Sequence, residues 1–182
     1  MKNILVTTNH QNHPVVQVAL LGQSEQRGFT LVEVMVVLII VAILAAIAFP
    51  SYQAYARRAS AAQAQQEIQR LAEQLERHKA KNFSYKGFDP AYIYGANAPM
   101  NSVIVPIGAT GAKIKYTLTI RDLQSTTKLL TDSSVRGQGW TIMATVNNDP
   151  KNYNLLMTSE GLRCKNAATI SYTACGSGSE GW

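Results

Sequence analysis

The chain has 182 residues, 46% of them hydrophobic and 15% charged, and carries a formal charge of +6 at pH 7. That length holds one modest domain plus an anchor. There is no internal repeat and no low-complexity tract, and no His or Cys pair has zinc-ligand spacing, so neither a repeat array nor a metal site is expected.

The first 28 residues are mostly polar, with Lys2, Glu25 and Arg27 as their only charges and His10 and His13 among them. Gly28-Phe29-Thr30-Leu31-Val32-Glu33 then leads into 16 residues, Val34 to Phe49, that carry no polar side chain. Phe29 to Phe49 is 21 residues, apolar except for Thr30 and Glu33. About 20 such residues cross a bilayer core as a helix. A secretory signal peptide fits poorly, because its apolar stretch follows a short basic region rather than a long polar one. A plain anchor leaves Glu33 unexplained, since a lone carboxylate in lipid is costly and implies a partner. Lys2 and Arg27 give a weak positive-inside bias, which Arg57-Arg58 on the far side opposes.

Arg27-Gly28-Phe29-Thr30-Leu31-Val32-Glu33, with the apolar run through Phe49-Pro50-Ser51-Tyr52, resembles the leader junction and N-terminal helix of type IV pilins. The resemblance implies that prepilin peptidase cuts after Gly28 and methylates the new N-terminus, Phe29. It also implies that the leader, 1–28, is removed, although it is longer than is usual for the commonest pilins. Segment 29–50 then forms the transmembrane and filament-core helix. Cleavage creates a cationic amine on Phe29. Pairing that amine with Glu33 of a neighbouring subunit offsets the cost of both charges in an apolar setting. The implied partners are other pilin subunits, the peptidase and an inner-membrane assembly platform. The implied location is a single pass of the inner membrane before assembly, then a pilus that crosses the periplasm to the cell surface.

Residues 51–81 favour helix, and Ala61, Ala64, Ile68, Leu71 and Leu75 recur at helical spacing as one apolar stripe. Glu73 and Arg77 form a favourable surface pair. The helix is therefore expected to resume past Pro50 and run to about Ala80, which makes it roughly 75 Å long in all. Residues 82–112, with Asp89-Pro90, Ala98-Pro99 and Val105-Pro106, read as an irregular connection. Segment 113–182 reads as an antiparallel sheet and a C-terminal loop. Ile114, Tyr116, Leu118 and Ile120 alternate with polar residues as a half-buried strand. Trp140 to Val146, Tyr153 to Thr158 and Leu162 to Lys165 supply the other candidates, separated by the turn signals Asn147-Asn148-Asp149-Pro150 and Glu160-Gly161. The fold class is thus α+β: a long N-terminal helix on an antiparallel sheet of three or four strands, as in type IV pilins.

Cys164 and Cys175 stand near the C-terminus. In an exported domain two cysteines suggest one disulfide, the alternative being two unpaired thiols. The resemblance favours pairing, since many type IV pilins close a C-terminal disulfide loop. Gly161-Leu162-Arg163-Cys164 and Thr173-Ala174-Cys175-Gly176 resemble the PilE/ComP-like minor pilins more narrowly.

The sequence has no nucleophile with a matched base, no Gly-rich phosphate loop and no convincing pair of acids. Neither enzymatic activity nor a cofactor is expected. His78 reads as a solvated surface residue. From Ser51 onward, 15 Lys and Arg stand against 9 Asp and Glu, so the exported part is also basic. Lys151, Arg163 and Lys165, near Tyr153 and Tyr172 in sequence, are candidate DNA contacts, because cations beside aromatics suit phosphates and bases. The bland alternative is a solvated basic surface. The expected function is a structural, minor pilus subunit supporting assembly, twitching motility and adhesion or DNA uptake. A DNA-receptor minor pilin and a type II secretion pseudopilin are the alternatives.

Overall fold

The computed structural model describes residues 28–182, so the leader with His10, His13 and Arg27 lies outside the described residues. The chain divides into a unit ending at Ala46 and a unit spanning Ile47–Trp182.

In the first unit, Thr30 caps helix α1 (Leu31–Asn82): the Glu33 amide donates to Thr30 Oγ1 at 3.2 Å, and the Val34 amide to the Thr30 carbonyl at 3.2 Å. Thr-x-x-Glu is the spacing of a capping box, and a carboxylate in the first turn suits the positive end of the helix dipole. Every residue from Gly28 to Ala46 is exposed. The helix is long and apolar enough to cross a membrane.

In the second unit the helix runs on through Pro50, which lacks the N–H that would reach the Ala46 carbonyl. From Ala64 its burial follows the apolar stripe: Ala64, Ile68, Leu71, Ala72 and Leu75 are buried. Glu73 and Arg77 pair on the exposed side. His78 is half-buried rather than solvated, with Nε2 3.0 Å from the Lys86 carbonyl oxygen and its ring edge-on to Phe88.

The stripe packs on a five-stranded antiparallel meander, β1 (Val103–Val105), β2 (Tyr116–Asp122), β3 (Trp140–Val146), β4 (Asn154–Thr158) and β5 (Arg163–Asn166), in that spatial order. Tyr116, Leu118, Ile120, Trp140, Ile142, Ala144 and Leu155 face the helix in one apolar cluster. Each large side chain so buried contributes about 1.5–3 kcal/mol. The sheet has one strand more than the three or four expected. The addition is β1, from the stretch read as irregular. Its three residues pair with Tyr116–Leu118, and so short a run before Pro106 carries too little alternation to read. A four-residue helix, α2 (Ala91–Tyr94), lies in the same connection.

Asp122 organises the long β2–β3 connection from a fully buried position. Its carboxylate accepts from the amides of Ser125 at 2.8 Å and Gly137 at 3.1 Å. Gly137 has φ +63°, and a Cβ there would meet the Lys86 amide nitrogen at 2.4 Å, so only glycine fits. Its carbonyl accepts from the Tyr85 amide at 2.9 Å, tying the end of the helix to the sheet's connection.

Burial raises the Tyr116 phenol above its usual value, with the nearby Asp149 charge adding to the effect. The folded chain therefore holds that proton more tightly, and the contribution is fully present below about pH 10 and declines progressively as the pH rises from there towards the raised folded value. The central packing is tested by Leu71→Ala, which removes a fully buried side chain from the helix–sheet interface. Urea unfolding is expected to show a loss of about 2–5 kcal/mol. An unchanged midpoint would contradict the assignment of this stripe to the core.

Candidate nucleic-acid interface

The connection from β3 to β4 turns through Asn147-Asn148-Asp149-Pro150. Asn148 adopts φ 58°, a left-handed conformation that Asn tolerates well. The turn then docks on α1 through Asn152, which is buried. Its Nδ2 donates to the Arg57 carbonyl at 3.3 Å and to Ser60 Oγ at 3.2 Å, while its Oδ1 accepts from the Tyr153 amide at 3.0 Å. A buried amide with its donors and acceptor engaged fixes this geometry. Arg57 adds an ion pair, Nε to Asp149 Oδ2 at 3.5 Å.

Docking leaves a groove of about 430 Å³ between α1 and the ends of β4 and β5. Ala54, Ala61 and Ala62 leave the space. Arg57, Arg58 and Gln65 come from the helix, Lys151 and Tyr153 from the connection before β4, and Lys165 from β5. The Lys165 Nζ lies over the Tyr153 ring, 5.1 Å from its centre, and pairs with Glu180 Oε2 at 3.2 Å. Lys165 and Glu180 also exchange backbone hydrogen bonds of 2.8 and 3.0 Å, which cover the edge of β5. Among the described residues, Arg58 and Lys151 have no ion-pair partner and are exposed.

The structure therefore divides the candidates that the sequence grouped. Lys151, Tyr153 and Lys165 converge. Arg163 is exposed on β5, opposite Met157, on the same face as Lys165 opposite Leu155, but it does not line the groove. Two strand residues on one face are about 6–7 Å apart. Tyr172 is elsewhere: its ring lies 5.6 Å from the Arg121 guanidinium, and its carbonyl accepts from Thr141 Oγ1 at 2.6 Å. Arg57, Arg58 and Gln65 were not among the candidates, because nothing in their sequence neighbourhood marks the sheet as their partner.

Cys164 and Cys175 are joined in a disulfide, with Cα atoms 6.2 Å apart. The loop it closes folds over the face of the sheet opposite the helix. There Leu156, Cys164, Ile170 and Cys175 form a second apolar cluster with Met143 against it. Asn166 donates from Nδ2 to the carbonyls of Cys175 at 2.7 Å and Ser177 at 2.9 Å. Trp182 Nε1 donates to the Cys164 carbonyl at 2.9 Å.

No curated protein and no solved structure matches the chain. Residues 23–49 match the prokaryotic N-terminal methylation motif. Residues 50–176 match the family described as type IV minor pilin ComP, DNA uptake sequence receptor. That second match contains the docked stripe of α1, all five strands and both cysteines. The chain belongs to the type IV minor pilin family ComP, and its fold and N-terminal motif are those of a pilin.

Proposed function

We propose that this minor pilin is a DNA receptor that works from within a type IV pilus. The observation that carries the reading is the match of residues 50–176 to a family described by DNA uptake sequence reception. The convergence of Lys151 and Lys165 beside Tyr153, with Arg163 further along the same strand face, supports it. Lysine and arginine neutralise backbone phosphates, and an exposed tyrosine offers a surface for an unpaired base.

The N-terminal segment supplies delivery. Prepilin peptidase cuts after Gly28 and Phe29 becomes the methylated N-terminus. Segment 29–50 holds the subunit in the inner membrane until the assembly platform moves it into the filament, which carries it across the periplasm to the cell surface. The position of Glu33 supports its role, because it stands in the capped first turn of α1 among exposed apolar residues. The Phe29 amine of an adjoining subunit neutralises it there.

Mass analysis of the mature protein is expected to give N-methylated Phe29 as the first residue; any other first residue contradicts the processing scheme. Glu33→Ala is expected to insert in membranes normally and to be depleted from sheared pili. Normal incorporation of that variant would reject the charge pairing. DNA binding by the full chain in neutral detergent should weaken with salt. Changing Lys151, Arg163 and Lys165 together to Gln should reduce the slope of log K against log salt by up to about 2–3. Binding no tighter than that of a charge-matched control domain would remove the receptor reading.

A further inference from the structure

The groove lies at a particular level of α1. The apolar run ends at Phe49, and Tyr52 and Tyr55 follow with 70% and 72% of their surface exposed. Exposed tyrosines beyond an apolar helical segment are the residues of a membrane–water boundary. Arg57 and Arg58 stand eight and nine residues past Phe49, about 12–14 Å along the helix. A headgroup layer is about 5–8 Å thick on each side of the hydrocarbon core. With Phe49 at the edge of that core, Tyr52, about 4–5 Å further on, falls within the layer, and Tyr55, about 9 Å further on, stands at its outer boundary. The arginine heads, on stems long enough to reach back, meet its outer side.

The sheet adds to the same level. Asn152 binds the Arg57 carbonyl and Ser60, and Lys151 and Lys165 line the same groove as those arginines. The groove's volume of about 430 Å³ lies within the range of about 300–1,000 Å³ that holds small ligands. Arg57 and Lys165 already face Asp149 and Glu180, whereas Arg58 and Lys151 have no ion-pair partner among the described residues. A monoanionic phosphodiester fits that unanswered charge. A zwitterionic headgroup would bring a cation of its own among these four.

We propose that this groove binds the headgroup phosphate of an anionic phospholipid, in the leaflet next to the sheet, while the subunit is held in the membrane. The inference rests on the membrane-anchor reading of α1. It shares Lys151 and Lys165 with the DNA reading and differs from it at Arg58.

The test uses the full chain, reconstituted in nanodiscs of equal phosphatidylglycerol and phosphatidylcholine, then transferred to mild detergent for mass counting of the retained lipid. Phosphatidylglycerol should be retained over phosphatidylcholine by at least about fivefold. Arg58→Gln should lower that preference about fivefold, and Arg58→Lys should preserve most of it. Equal retention of the two lipids, or full preference in Arg58→Gln, overturns the proposal. Free glycerol 3-phosphate binding as well as the lipid does would make this a soluble-phosphate site and overturn the membrane assignment. Protection of the groove by a DNA oligomer, with no lipid preference, would give it to nucleic acid instead. DNA affinity measured on the same wild-type sample keeps the two readings separate. Its loss removes the receptor function without altering the lipid count, and an undiminished value survives a failed lipid preference.

Discussion

One helix has to satisfy two solvents. Up to Phe49, α1 is exposed all round and, Glu33 apart, apolar all round, a surface that lipid or the helices of other subunits can cover. From Ala64 to Leu75 the same helix is apolar on one stripe alone, and that stripe is buried under the sheet. The change from a full circumference to a single stripe takes place between Pro50 and Ala61. The conspicuous polar and aromatic side chains of that interval are Tyr52, Tyr55, Arg57 and Arg58. The groove lies where the helix stops needing an apolar environment and starts making a core. Its charges are tolerable because water reaches them.

The sheet is likewise two-faced, and its second face explains why the disulfide matters. One face takes the helix. The other is closed over β3–β5 by the loop between Cys164 and Cys175. All five residues of β4 are buried as a result. A covalent tie across ten intervening residues restricts the unfolded chain by an amount of the order of 2–4 kcal/mol. It also holds Tyr172 near Arg121 and places its carbonyl on Thr141. Beside it, Trp182 binds the Cys164 carbonyl and Glu180 pairs with the backbone of Lys165, so the edge of β5 is covered rather than left open to another strand.

Period and composition made the main elements legible. The stripe from Ala61 to Leu75 repeats as a helix must, and β2 alternates without interruption, so both could be read from side chains in order along the chain. β1 could not, because three residues hold one and a half periods. The double burial of β4 could not either, since it comes from a loop that follows it and folds back. The site obeyed the same limit. Lys151, Tyr153 and Lys165 were visible as basic and aromatic residues close in sequence, and they do converge. Tyr172 is equally close in sequence and goes to the opposite face with Arg121. Which face a loop residue takes depends on where the Cys164–Cys175 tie holds it, and sequence distance carries no such information. Arg57 and Arg58 join the groove where Asn152, 95 residues from Arg57 along the chain, docks on the helix.

That long-range contact also sets the groove's electrostatics. Asn152 fixes the turn so that Asp149 reaches Arg57, and the covered edge of β5 puts Glu180 on Lys165. Four cations held near one another repel, and two nearby acids reduce that cost. Both pairs are partly exposed, and ion pairs of that kind contribute only about 0–1 kcal/mol each, so neither acid locks its cation. An incoming phosphate can compete with Asp149 or Glu180 for the same hydrogens, while Arg58 and Lys151 have no ion-pair partner among the described residues. The arrangement therefore holds a basic groove together in the absence of a ligand and still leaves a net attraction for a single anionic oxygen cluster.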